Sequence, residues 1–197
     1  MGKVKYTIDS IFNKRPKVKD YAFLDYEIQE YIKMIIPKAN PNLRIGRNVI
    51  EPRIKSFWSL KWIELIEIRH DYENEDLLSI FKNLYEVTEK QLLNLDIFNY
   101  FSCIKWITNQ LEDIAESEKG NLNYEASEEE KEAGSEEFEK YDYYVTLDGL
   151  TNGDSTKEEF YLNKSYEYIF RKLCLLNDKR MFNDKMQEIV SRKNKRN

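Results

Sequence analysis

Tyr144-Val-Thr-Leu-Asp-Gly-Leu-Thr-Asn-Gly-Asp-Ser-Thr-Lys-Glu-Glu159 is followed, as far as Arg192, by two segments of helical spacing. The stretch reads as a helix, a tight polar turn and helix again. Asn152-Gly153 accepts the positive φ that such a turn needs, and Asp154 or Ser155 is placed to cap the next helix. Ser155-Thr-Lys-Glu158 has the capping-box spacing, in which serine and glutamate satisfy each other's orphan amides. Segments 165–176 and 179–191 then put Ile169, Phe170, Leu173, Met181, Phe182, Met186 and Ile189 on inward-facing helical positions. Helix, turn and helix without strand alternation set the class: all-α, an irregular multi-helix bundle.

Upstream the same period recurs. Residues 97–114 carry Tyr100, Phe101, Ile104, Ile107, Leu111 and Ile114 along one stripe, and 75–87 carry Leu77, Leu78, Phe81, Leu84 and Tyr85, so these two helices should pack together. Residues 59–68 fit neither helix nor strand period cleanly, and helix is the favoured reading. A linker at 120–126 leads to a capping box at Ser127-Glu-Glu-Glu130, which opens a charged helix with Phe138, Tyr141 and Val145 on its apolar face. All four prolines, Pro16, Pro37, Pro41 and Pro52, lie in the first 52 residues. Since proline interrupts helices, the chain divides into an extended N-terminal arm, 1–55, with one helix at 24–35, and a helical bundle, 56–197, with an acidic linker and helix at 112–142.

At 197 residues, 41% hydrophobic and 34% charged, the chain is large enough to bury a core without disulfides. Cys103 and Cys174 sit inside apolar helical patterns and read as reduced core residues, which points to a reducing compartment. The first residues lack a signal-peptide core, and no run approaches the roughly 18 apolar residues of a membrane span, so the expected location is cytoplasmic, with no membrane partner. Net charge is −5, but unevenly spread. Residues 112–142 hold thirteen acids against three lysines, a surface that repels nucleic acid. Basic residues gather at the ends, Lys14, Arg15, Lys17 and Lys19 early on and Arg192, Lys193, Lys195 and Arg196 at the tail. Such ends can contact phosphates, although solvated helix termini are the plainer reading.

No catalytic, cofactor or metal residue emerges. His70-Asp71 is a metal-ligand dipeptide, but an open hydrolytic site needs further histidines and His70 is the only one. A cysteine–histidine dyad needs an exposed thiol. With Asp148 as position 1, the Asp148 to Glu159 loop meets the EF-hand pattern at 5, 6, 9 and 12, yet Leu150 offers no oxygen at position 3 and Ser155 replaces the usual apolar anchor at position 8. A capped turn explains it with fewer assumptions. Glycines are isolated, so no phosphate cradle is written. Aromatics remain. Phe138, Tyr141, Tyr143 and Tyr144 cluster beside acids such as Glu136 and Glu137; an apolar ring with a polar tip suits a protein interface better than a stacking platform among acids, and plain core packing is an equal alternative to both.

The succession Phe57-Trp-Ser-Leu-Lys-Trp-Ile-Glu-Leu65, Asp76-Leu-Leu-Ser-Ile-Phe-Lys-Asn-Leu-Tyr85, Phe101-Ser-Cys-Ile-Lys-Trp-Ile107, Leu147-Asp-Gly-Leu-Thr-Asn-Gly-Asp154 and Tyr166-Glu-Tyr-Ile-Phe-Arg-Lys-Leu173 resembles small helical proteins of tailed-bacteriophage morphogenesis, with tail assembly chaperones the nearest group. The resemblance spans 57–193 and carries over no functional residue. It implies a non-enzymatic protein, without a cofactor, of the host cytoplasm or the virion, which either holds another phage protein or serves as a minor component of the particle. The two open classes differ in the surface they need. An assembly protein would present Phe138, Tyr141, Tyr143 and Tyr144, with Glu136 and Glu137, as an apolar patch rimmed by acids. A small nucleic-acid-associated protein would instead use its basic arm and tail on one face.

Overall fold

The computed structural model describes residues 6–35, 38–122, 131–132 and 134–194. The helices in chain order are α1 (Ile11–Lys14), α2 (Val18–Tyr21), α3 (Tyr26–Met34), α4 (Trp62–Glu73), α5 (Leu77–Tyr85), α6 (Glu89–Leu93), α7 (Ile97–Asn121), α8 (Tyr143–Thr151), α9 (Glu158–Leu162) and α10 (Tyr166–Asn194). The one departure from an all-α chain among the described residues is a short antiparallel hairpin, β1 (Leu43–Ile45) with β2 (Asn48–Ile50), turning at Gly46 with φ +61°. Residues 43–50 carry no strand expectation, because three-residue strands are too short to show alternation.

The chain divides into two compact units, Met1–Lys55 with Ile68–Glu112, and Ser56–Glu67 with Asp113–Asn197. In the first, Ile11, Leu24, Ile28, Ile32 and Ile97 form a buried cluster against which Val18, Tyr21, Phe98 and Phe101 pack. Ile28 and Ile32 are one helical turn apart, so α3 turns a single stripe inward. Rings continue this core: Phe81 stacks on both Tyr85 and Tyr100, at 5.5 and 5.3 Å, which joins α5 to α7 as their spacing predicts. The arm is held by main-chain bonds. The Val18 N–H donates to the Leu95 carbonyl at 3.1 Å and the Ile97 N–H to the Pro16 carbonyl at 2.9 Å.

The ambiguous segment 59–68 is helical from Trp62, where α4 begins, and a 3-10 turn, Phe57–Ser59, precedes it. The Trp62 N–H donates to the Lys164 carbonyl and the Tyr166 N–H to the Leu60 carbonyl, both at 2.8 Å. Trp58 lies 5.7 Å from Tyr166 and 5.0 Å from Phe170, so three rings anchor the start of α10. Phe57, Leu60, Trp62, Leu65, Ile114, Leu147 and Ile169 are buried in the second unit.

Several local expectations need correction. Asn152 and Gly153 take positive φ, 55° and 75°, and of the two cap candidates it is Asp154 whose carboxylate accepts from the Thr156 N–H at 3.1 Å; Ser155 begins a 3-10 turn rather than a capping box. The two segments 165–176 and 179–191 form one helix, α10. Gly120 and Asn121 belong to α7 rather than to a linker. The capping box at 127–130 lies outside the described residues. Cys103 is fully buried, whereas Cys174 is only half-buried.

Candidate interaction surfaces

Phe138 and Tyr141 fall on a 3-10 helix, Ser135–Tyr141, and Tyr143 and Tyr144 open α8. Phe138 is 59% exposed, and Tyr141, Tyr144 and Val145 are exposed as well, so these side chains do not form the inner face of a helix. Tyr143 alone turns partly inward, edge-on to Trp62 at 6.3 Å and stacked on Tyr144 at 4.4 Å. A hydrogen bond to Tyr144, helped by burial, pushes the Tyr143 phenol up to about 12. Glu137 and Asp142 are exposed beside the rings, and the Glu136 side chain lies outside the described residues. Lys140 places its ammonium 5.1 Å from the Tyr141 ring.

A second apolar surface is one that helical periodicity misassigned. Every residue from Met181 to Asn194 is exposed, including Met181, Phe182, Met186 and Ile189, which the spacing turned inward. Leu175, Phe182, Met186 and Ile189 succeed one another at steps of seven, four and three, and so share one face of α10. Phe182 is 63% exposed. The Asn177 amide donates to the Asn121 carbonyl at 3.0 Å, where α10 still runs beside the end of α7. Residues 178–194 carry five Lys and Arg against three Asp and Glu, which makes this a weakly basic amphipathic helix.

The predicted basic residues fall in different units. Arg192 and Lys193 lie at the exposed end of α10 in the second unit, and Lys195 and Arg196 fall outside the described residues. Lys14, Arg15, Lys17 and Lys19 belong to the first unit. Arg15 and Lys17 line a cleft of about 640 Å³ together with Arg44 on the hairpin. Arg15 reaches Asp96 at 3.4 Å, and Lys19 donates to the Asn94 side-chain oxygen at 3.0 Å. In the sequence Arg44-Ile-Gly-Arg47 is too short for a phosphate cradle, and Arg44 joins Arg15 in lining the cleft only through the hairpin that carries it.

His70 is exposed near the end of α4, with the Asn74 amide 3.2 Å from its Nε2. Burial pushes the Cys103 thiol up to about 12, the reverse of what a nucleophile needs. Among the described residues no three His, Cys, Asp or Glu side chains converge as a metal site would require, and no helix is long and apolar enough to cross a membrane. No family model, curated protein or solved structure matches the chain.

Proposed function

We propose that this chain is a non-enzymatic assembly protein that holds another protein, in the manner of a phage tail assembly chaperone or minor morphogenesis factor. The observation that carries the reading is the apolar face of α10: Leu175, Phe182, Met186 and Ile189 have the spacing of core residues and stand exposed. Leaving such a face in water forgoes about 25 cal/mol for each Å² that a partner would cover. An amphipathic helix seated in an apolar groove is a recurrent way of supplying that cover. The basic flank of the helix favours a groove rimmed by acids, and the rings at Phe138, Tyr141 and Tyr144 offer a second contact of opposite sign.

The test is affinity capture from phage-infected cells with the tagged chain, a Phe182→Glu/Ile189→Glu variant and a Tyr141→Ser/Tyr144→Ser variant, all checked for unchanged helicity. A phage structural protein retained by the parent chain and lost from the α10 variant is the expected result. Equal retention by that variant, or no retention by the parent, would overturn the reading.

A second reading, association with nucleic acid through the basic arm, is favoured by one observation: Arg15 and Lys17 meet Arg44 around a single cleft.

A further inference from the structure

We propose that the cleft between the arm, the hairpin and the start of α7 binds a nucleotide, free or within a single strand, with Lys17 and Arg44 holding its phosphate and Phe98 bordering its base. This rests on none of the assembly reading and gives the nucleic-acid reading a specific site.

Charge comes first. Residues 1–55 hold twelve Lys and Arg against six Asp and Glu, so the part of the chain that supplies most of the cleft is basic although the whole is acidic. Within the cleft, Arg15, Lys17 and Arg44 face one carboxylate, Asp96. That carboxylate is already engaged, by Arg15 at 3.4 Å and by the N–H groups of Phe98 and Asn99 at 3.0 and 3.3 Å. It caps α7, so the helix terminus is not the anion site and the cations must serve instead. Arg44 and Lys17 are exposed and come from different elements, an arrangement that brackets a ligand rather than pairing within one helix.

Rigidity comes from asparagines. Asn99 accepts from the Arg44 N–H at 2.6 Å and donates to the Asn42 carbonyl at 3.0 Å, which fixes the hairpin against α7. The Asn40 side-chain oxygen accepts from the Asn42 N–H at 2.9 Å. Arg44 is therefore held at its backbone while its exposed guanidinium bonds no side chain among the described residues, and less ordering is left for a ligand to impose.

The apolar lining distinguishes a nucleotide from a bare anion. Phe98 lines the cleft and stacks on Phe12 at 5.6 Å with the rings 3° from parallel, and Val49 lines the hairpin side. Cations for phosphate with an aromatic ring beside them are the elements of single-nucleotide recognition. The volume lies within the range of small-ligand sites, about 300–1,000 Å³.

Titration calorimetry with AMP and with inorganic phosphate, and fluorescence anisotropy with labelled dT15, test the assignment on the full chain. A Lys17→Glu/Arg44→Glu variant is compared with the parent, with Lys17→Gln/Arg44→Gln as a milder pair and Lys185→Glu on α10 as a control for charge alone. The expected result is binding of AMP or dT15 that falls at least tenfold in both cleft variants, keeps its strength in the control and exceeds that of inorganic phosphate. Loss confined to dT15 assigns the site to a strand; AMP binding without dT15 binding assigns it to a free nucleotide and removes the nucleic-acid reading. Strand binding that the cleft variants leave unchanged overturns the site and spares that reading. Phosphate binding as tight as AMP binding, or no binding of any probe at millimolar concentration, overturns the proposal.

Discussion

Two tyrosines show how much a single hydroxyl depends on its surroundings. The Tyr85 hydroxyl donates to the Pro41 carbonyl at 2.6 Å, whereas the Tyr21 hydroxyl is buried without a hydrogen-bond partner among the described residues. Removing a made hydrogen bond costs about 1–2 kcal/mol, while removing an unsatisfied hydroxyl relieves its desolvation. Tyr85→Phe should therefore lower the urea midpoint and Tyr21→Phe should leave it unchanged or raise it; a fall for Tyr21→Phe would show that its hydroxyl finds a partner. Alkali should act on the same core. Burial pushes Cys103 and Tyr100 up to about 12 and raises Tyr85 as well. These groups are neutral in the fold and ionise more readily once unfolded, so their contribution is complete below the ordinary values of 9.0 and 10.0 and declines as pH climbs toward 12. Urea midpoints at pH 8 and pH 11 should differ in that direction. A flat profile would mean that these groups are hydrated in the native state.

At the scale of elements, α10 is the decisive case. The exposed run from Met181 to Asn194 predicts that a chain ending at Arg180 keeps its thermal midpoint within a few degrees and loses the bound partner. A collapse of the midpoint would show that the end of α10 is covered within the chain. The sequence makes the stripe legible, because Leu175, Phe182, Met186 and Ile189 repeat with the helical period, but periodicity reports that a face is apolar and not what covers it. The same limit explains Phe138 and Tyr141. Where burial and period coincide, as at Ile28 and Ile32 in α3 or Phe81 and Leu84 in α5, the helices were readable. The cleft was only half legible: Arg15 and Lys17 are near neighbours in sequence, while Arg44 and Asn99 come together through a hydrogen bond between residues 55 apart.

For the whole molecule, the two units are not segments placed end to end in sequence. α4 begins in one and finishes in the other, and α7 does so in the opposite direction. A helix is cooperative along its length, so melting one end removes support from the other. The three tryptophans make this measurable, because Trp58 and Trp62 belong to the second unit and Trp106 to the first. Leu84 is fully buried in the first unit, and Leu84→Ala should cost about 2–5 kcal/mol. In a Trp106→Phe background, fluorescence reports on the second unit alone. If α4 and α7 couple the units, Leu84→Ala shifts that urea transition by as much as it shifts the loss of far-UV helicity. A fluorescence midpoint that stays in place while the helical signal divides into two steps would mean that the units unfold independently and that the helices break where they pass between them.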